Sequence, residues 1–168
     1  LNPLDTNTVA ILGIVTAHTG EFERGAELTR RAMDMNPHHA GWYHFGLIWL
    51  HFSRGEYEQA LERVSHINMP GMFYAYLVMA AICGHLGRES DARVAVNRLL
   101  ELDPEFATHA RHNIGCWHFA SGLLEPLLDG LRKAGLEIAD EIPVNSVAAA
   151  AASQSTNATS AALTKSEG

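Results

Sequence analysis

Apolar and polar positions along this chain alternate with the period of a helix, not of a strand. Between residues 6 and 19 apolar side chains recur at Val9, Leu12, Ile14 and Val15. Between 22 and 35 they recur at Phe22, Ala26, Ala32, Met33 and Met35, interleaved with Glu23, Arg24, Glu27, Arg30, Arg31 and Asp34. Val94, Leu99 and Leu102, with Arg93 and Arg98 between them, repeat the pattern later. An apolar stripe opposite a charged face is the signature of a surface helix packed on a core. The pattern predicts helices over about 6–19, 22–35, 40–53, 56–67, 71–86, 89–102, 105–120 and 122–134.

The predicted helices are punctuated at a nearly constant interval. Pro3, Pro37, Pro70 and Pro104 are separated by 34, 33 and 34 residues, and each ends a similar tripeptide. Gly20, Gly55 and Gly87 fall 17, 18 and 17 residues after the first three prolines. Glycine lets a chain leave a helix through positive φ, and the residue before proline is pushed out of the helical region. Each period therefore reads as helix, glycine turn, helix, proline turn. A fixed period of this length marks a repeat array, whose units spend their residues on stacking against one another.

The turn Gly55-Glu56-Tyr57-Glu58-Gln59-Ala60-Leu61 matches Gly20-Glu21-Phe22-Glu23-Arg24-Gly25-Ala26, and Gly87-Arg88-Glu89-Ser90-Asp91-Ala92 is a weaker copy. With the small residues Gly25, Ala60 and Ala92, with Ala32 five residues before Pro37, and with the closing proline, the chain resembles the tetratricopeptide repeat over about residues 1–120. The resemblance implies an all-α, right-handed α-solenoid of antiparallel helix pairs. Its units would run over about 4–37, 38–70 and 71–104, followed by a solitary helix at 105–120. The second unit departs from the pattern, with one extra residue before its glycine and two fewer after it. Leu99 stands where Ala32 stands in the first unit.

A narrower resemblance rests on Gly41-Trp42-Tyr43-His44-Phe45, on Ile67-Asn68-Met69-Pro70-Gly71, and on Leu127-Leu128-Asp129-Gly130-Leu131-Arg132-Lys133-Ala134-Gly135-Leu136. These runs look like the C-terminal repeat region of bacterial signalling proteins that carry a class III adenylate cyclase or a winged-helix DNA-binding domain in front. Neither domain is in this chain, so neither activity is assigned to it. Leu1-Asn2-Pro3 reads as the tail of a preceding repeat. The first helix pair is then expected to present an apolar surface to a neighbour, or to self-associate through it.

Composition narrows the function classes. The 168 residues carry 12 Lys and Arg against 19 Asp and Glu, a formal charge of −7, which argues against a nucleic-acid surface. No basic run precedes an apolar stretch, and the apolar run from Met69 to Cys83 is too short for a bilayer, so no membrane partner is expected. The expected location is cytoplasmic, with Cys83 and Cys116 as reduced, buried thiols; a disulfide would require the packing to bring them together.

Candidate chemistry is sparse. His109 and His112, or His44 and His51, share helix faces, but two ligands do not make a zinc site, and no HExxH or CxxC occurs. His38-His39 falls in a turn. Ser53, Ser65, Ser90 and Ser121 lack a nucleophile-elbow context, and the acids at Glu56, Glu58, Glu89 and Asp91 suit helix starts. No phosphate-binding glycine loop is present. Neither metal nor cofactor is expected, and the chain reads as a non-enzyme.

The resemblance places a partner-binding groove on the first helix of each unit. It would be lined by Asn7, Ile14 and His18, by Trp42, Phe45, Trp49 and Phe52, by Tyr74, Leu77 and His85, and by Arg111 and His118. The aromatic stripe of the second unit has two readings, core or anchor row. The expected division has Phe45 and Trp49 partly buried and Trp42 and Phe52 more exposed. Arg111 is the main cation, so the expected ligand is a protein or peptide with an apolar or aromatic segment rather than a carboxylate. The alternative function is a helical small-molecule sensor or enzyme using this aromatic and histidine-rich groove. Leu123, Leu124, Leu127, Leu128 and Leu131 form the apolar face of a capping helix within 121–136, with Pro126 in its first turn. Residues 137–168 are expected to be a disordered tail rich in Ala, Ser and Thr.

Overall fold

The computed structural model describes residues 5–115 and 121–138. They form eight α-helices: α1 (Thr6–His18), α2 (Phe22–Met35), α3 (Phe45–Ser53), α4 (Tyr57–Ser65), α5 (Phe73–His85), α6 (Glu89–Leu102), α7 (Phe106–Gly115) and α8 (Ser121–Lys133). A 3-10 turn at Gly41–His44 leads into α3 where a single helix was predicted. No strand occurs among the described residues, and none of their helices is long and apolar enough to cross a membrane.

The glycine turns are built alike. Gly20, Gly55 and Gly87 sit at φ of 96°, 71° and 66°. The residue after each glycine donates its N–H five positions back: Glu21 to Thr16 (3.2 Å), Glu56 to His51 (2.9 Å) and Arg88 to Cys83 (3.0 Å). The glycine itself donates three positions back, to Ala17, Phe52 and Gly84. This pair of bonds satisfies the last carbonyls of the helix and needs the left-handed conformation at the glycine. A fourth copy at Gly135 (φ 88°) closes α8, with Leu136 donating to Leu131 (3.0 Å).

Charge separates the helices into two kinds. α1, α3 and α5 contain no Asp, Glu, Lys or Arg, whereas α2, α4 and α6 are charged on one face. An uncharged helix that is apolar on all sides wants neighbours on all sides. α3 has them, packing on α2 and α4, and α5 lies against α4, α6 and α8. α1 packs on α2 and α3 and leaves one side open, with Ile11, Leu12 and Val15 exposed by 53%, 52% and 51%.

Helix contacts are closest where side chains vanish. A Cβ on Gly25 would stand 2.6 Å from the carbonyl oxygen of Gly13, which brings the backbones of α1 and α2 together. Ala60 and Ala92, the corresponding small residues of α4 and α6, are buried. The main core runs through Ile48, Trp49, Leu77, Val78 and Leu99 to Leu123, Leu127, Leu128 and Leu131 of α8. α8 lies chiefly on α5 and touches α7 less. α7 is kinked at His109 (φ −121°, ψ 15°). Pro126 falls at the sixth position of α8, one and a half turns inside instead of in the first turn, because the helix starts at Ser121. Residues 116–120, which include Cys116 and His118, and the tail from 139 lie outside the described residues, as do Leu1-Asn2-Pro3.

Candidate functional site

Four of the predicted groove residues, Phe45, Trp49, Phe52 and Leu77, belong to the main core. Phe45, Trp49, Phe52 and Leu77 are buried, with Trp49 at 0% and Phe52 at 2% exposure. The expectation that Phe52 stands more open than Phe45 is therefore corrected. The reason lies on neighbouring elements: the Phe52 ring is covered edge-on by Tyr57 of α4 (5.4 Å) and by His85 of α5 (5.9 Å). Trp42 is half-buried, its ring 4.5 Å from that of Tyr43. Ile14 is half-buried against the main core.

An aromatic column joins α1, α3 and α5. Tyr74 of α5 stands 4.8 Å from Phe45 and 6.0 Å from Trp49, and Trp49 stands 5.6 Å from His18 of α1. Tyr74 Oη and His18 Nε2 are 3.2 Å apart. Burial pushes the Tyr74 phenol well above its ordinary range. Tyr57, which the sequence marked only as part of a turn, belongs to this column through its stacking on His85 (4.3 Å, 6°).

Asn7, His85 and Arg111 of the predicted groove are used within the fold. Asn7, exposed at the start of α1, accepts the Tyr43 hydroxyl at Oδ1 (2.7 Å), while its own N–H donates to Asp5 (3.1 Å). His85 Nε2 donates to the Pro126 carbonyl (2.8 Å), fastening α5 to α8. Arg111 makes a two-pronged pair with Glu125, with Nη2 3.0 Å from Oε2, and holds that carboxyl below its ordinary range. The cation expected to meet a ligand is thus engaged across α7 and α8.

A second cluster sits where the 3-10 turn meets the end of α4. The His44 and His66 rings stack at 4.7 Å and 9°, and His39 lies 5.3 Å from His44. Among the described residues no group of three or more His, Cys, Asp or Glu has metal-binding geometry. His51 pairs with Glu56 through Nδ1 (2.6 Å).

These placements fix a pH response. Burial lowers the pKa of His18 to about 4; burial, followed by the charges of His66, His39 and Arg63, lowers that of His44 to about 4 as well. Both are neutral in the fold and regain an ordinary value near 6.5 on unfolding. Unfolding then takes up protons, so their contribution is complete above about pH 6.5 and is lost as pH falls toward 4. Urea midpoints are expected to fall across that window, and His18→Gln to shallow the fall. A flat profile from pH 6.5 to 4 would contradict this placement.

No family model matches the chain, and no curated protein matches it.

Proposed function

We propose that the chain is a non-catalytic scaffold of tetratricopeptide type, a right-handed solenoid of antiparallel helix pairs that receives a further apolar helix along α1. The observation that carries this reading is the open side of α1. Counted from the turn glycines, Leu12 and Val15 correspond to Leu47 and Leu50 of α3. Leu47 and Leu50 are 4% and 3% exposed because Ala26, Phe22 and Met33 of α2 cover them. The same positions on α1 have no such cover among the described residues. What fits there is a helix that presents, as α2 does, an alanine between larger apolar side chains.

The α6 helix of a second copy fits that side poorly. In α6, the positions that match Phe22, Ala26 and Met33 are Glu89, Arg93 and Leu100. A partner segment with an apolar face is the better fit, and nucleic acid and membrane are not the proposed partners. The narrower likeness to regulatory tails of bacterial signalling proteins supports a cytoplasmic signalling role for this contact.

A labelled peptide of residues 20–37 is the probe. It is expected to bind the full chain saturably, in about the millimolar range or tighter, because a short free helix is ordered only on docking. Leu12→Lys should abolish that binding while changing stability by less than about 0.5 kcal/mol, since Leu12 is half exposed. Absence of binding, or equal binding by Leu12→Lys, would overturn the reading.

A further inference from the structure

Two features of the second and third units, neither of them on the open side of α1, leave a cleft. α4 ends at Ser65, ten residues after its glycine, whereas α2 and α6 run fifteen residues past theirs. The last turn that carries Ala32 and Met33 in α2 therefore has no helical counterpart after α4. On the facing helix, the position of Tyr43, counted back from the turn glycine, is taken by Ala75. A shortened helix and a large-to-small change at its partner open a cleft of about 400 Å³ between α4, α5 and α6. That volume lies within the range of about 300–1,000 Å³ that small-ligand sites occupy.

The walls are apolar and adaptable. Ala75, Tyr76 and Met79 of α5 form the floor, Leu61 and Val64 of α4 one wall, and Met69 borders it from the connecting loop. Two methionines beside a tyrosine ring favour an aromatic guest, since thioether sulfur and ring edges attract and methionine reshapes at little cost. Arg88 and Asp91, from the start of α6, also line the cleft. Neither is ion-paired with another described residue; Arg88 is the N-cap of α6 and Asp91 lies in its first turn. A cation and an anion that make no ion pair among the described residues, beside an apolar cleft, match a ligand that carries both charges next to an apolar group.

The geometry points to this cleft as a binding site for a small aromatic zwitterion of the α-amino-acid class. The carboxylate is held by Arg88, the ammonium by Asp91, and the side chain rests on Met79 beside Tyr76, whose ring the Arg98 guanidinium approaches to 6.0 Å. This goes beyond the scaffold role and does not depend on it: a ligand here acts on the junction of α4, α5 and α6, away from α1.

The test uses the full chain and methionine methyl resonances, with L-phenylalanine as probe. Met69 and Met79 methyls are expected to shift saturably, while those of Met33 and Met35, which lie on α2, stay still. Phenethylamine and 3-phenylpropionate, which carry one charge each, should bind at least about tenfold more weakly. Arg88→Gln, an exposed change that leaves the fold intact, should weaken L-phenylalanine by about the same factor and erase its advantage over phenethylamine. Ala75→Leu, which fills the floor, should abolish the shifts. The proposal is overturned if no methyl moves up to about 10 mM ligand. It is equally overturned if the three ligands bind alike, or if Arg88→Gln binds as the parent does.

Discussion

Trp49→Ala is expected to destabilise the chain by about 3–5 kcal/mol, the range for removing a fully buried large aromatic. Trp49 is 0% exposed and its ring meets those of His18, Phe52 and Tyr74, which come from three helices. Deleting the indole leaves a cavity that none of the three can fill without leaving its other partners, since Phe52 is held by Tyr57 and His85. Trp42→Ala, at a half-buried ring on the same side of the molecule, should cost about 1 kcal/mol. Urea unfolding of the two variants at unchanged m-value measures the contrast. A near-neutral Trp49→Ala would mean that the indole is an accessible anchor and not core. The variant should also lessen the acid sensitivity, because the indole is part of what excludes water from His18.

Gly84→Ala sets two physical effects against each other. Helix propensity alone would make the change stabilising by about 1 kcal/mol. The contact with α8 reverses the sign, because a Cβ on Gly84 would stand 2.0 Å from the carbonyl oxygen of Gly130 and 2.8 Å from the amide nitrogen of Ala134. Both are backbone atoms and cannot rotate away. α8 must shift off α5, which loosens Leu127, Leu128 and Leu131 and the His85–Pro126 bond. A net loss of at least about 2 kcal/mol is expected, with faster amide exchange concentrated in α8. A stabilised Gly84→Ala would show that α8 does not sit on α5 in solution.

The sequence made the glycine turns plain because they obey local rules. Positive φ and the bonds around it involve only residues within five positions, so Gly20, Gly55 and Gly87 could be read without knowing what packs where. The uncharged character of α1, α3 and α5 was equally visible. The fate of the aromatic stripe was not. Helical spacing shows that Trp42, Phe45, Trp49 and Phe52 share a side, but their burial depends on Tyr74, Tyr57 and His85, which come from other helices. The site of α8 was hidden for a related reason. Its leucine face announces burial, while the choice of α5 rests on Gly84 and Gly130, which in a single sequence look like weak points in two helices. Likewise the shortness of the second unit was countable, and its consequence, a cleft over Ala75, needed the facing helix.

The measurement that bears most directly on the scaffold account is a methyl-resolved NMR titration of the full chain with the peptide of residues 20–37. The expected result is that the methyls of Ile11, Leu12 and Val15 move together and saturate while those of Leu47 and Leu50 stay fixed, since the latter pair is already covered by α2. Silence at all three α1 residues would contradict it. So would movement confined to the neighbourhood of Trp42 and Tyr74, which would place the docking surface on the aromatic column instead.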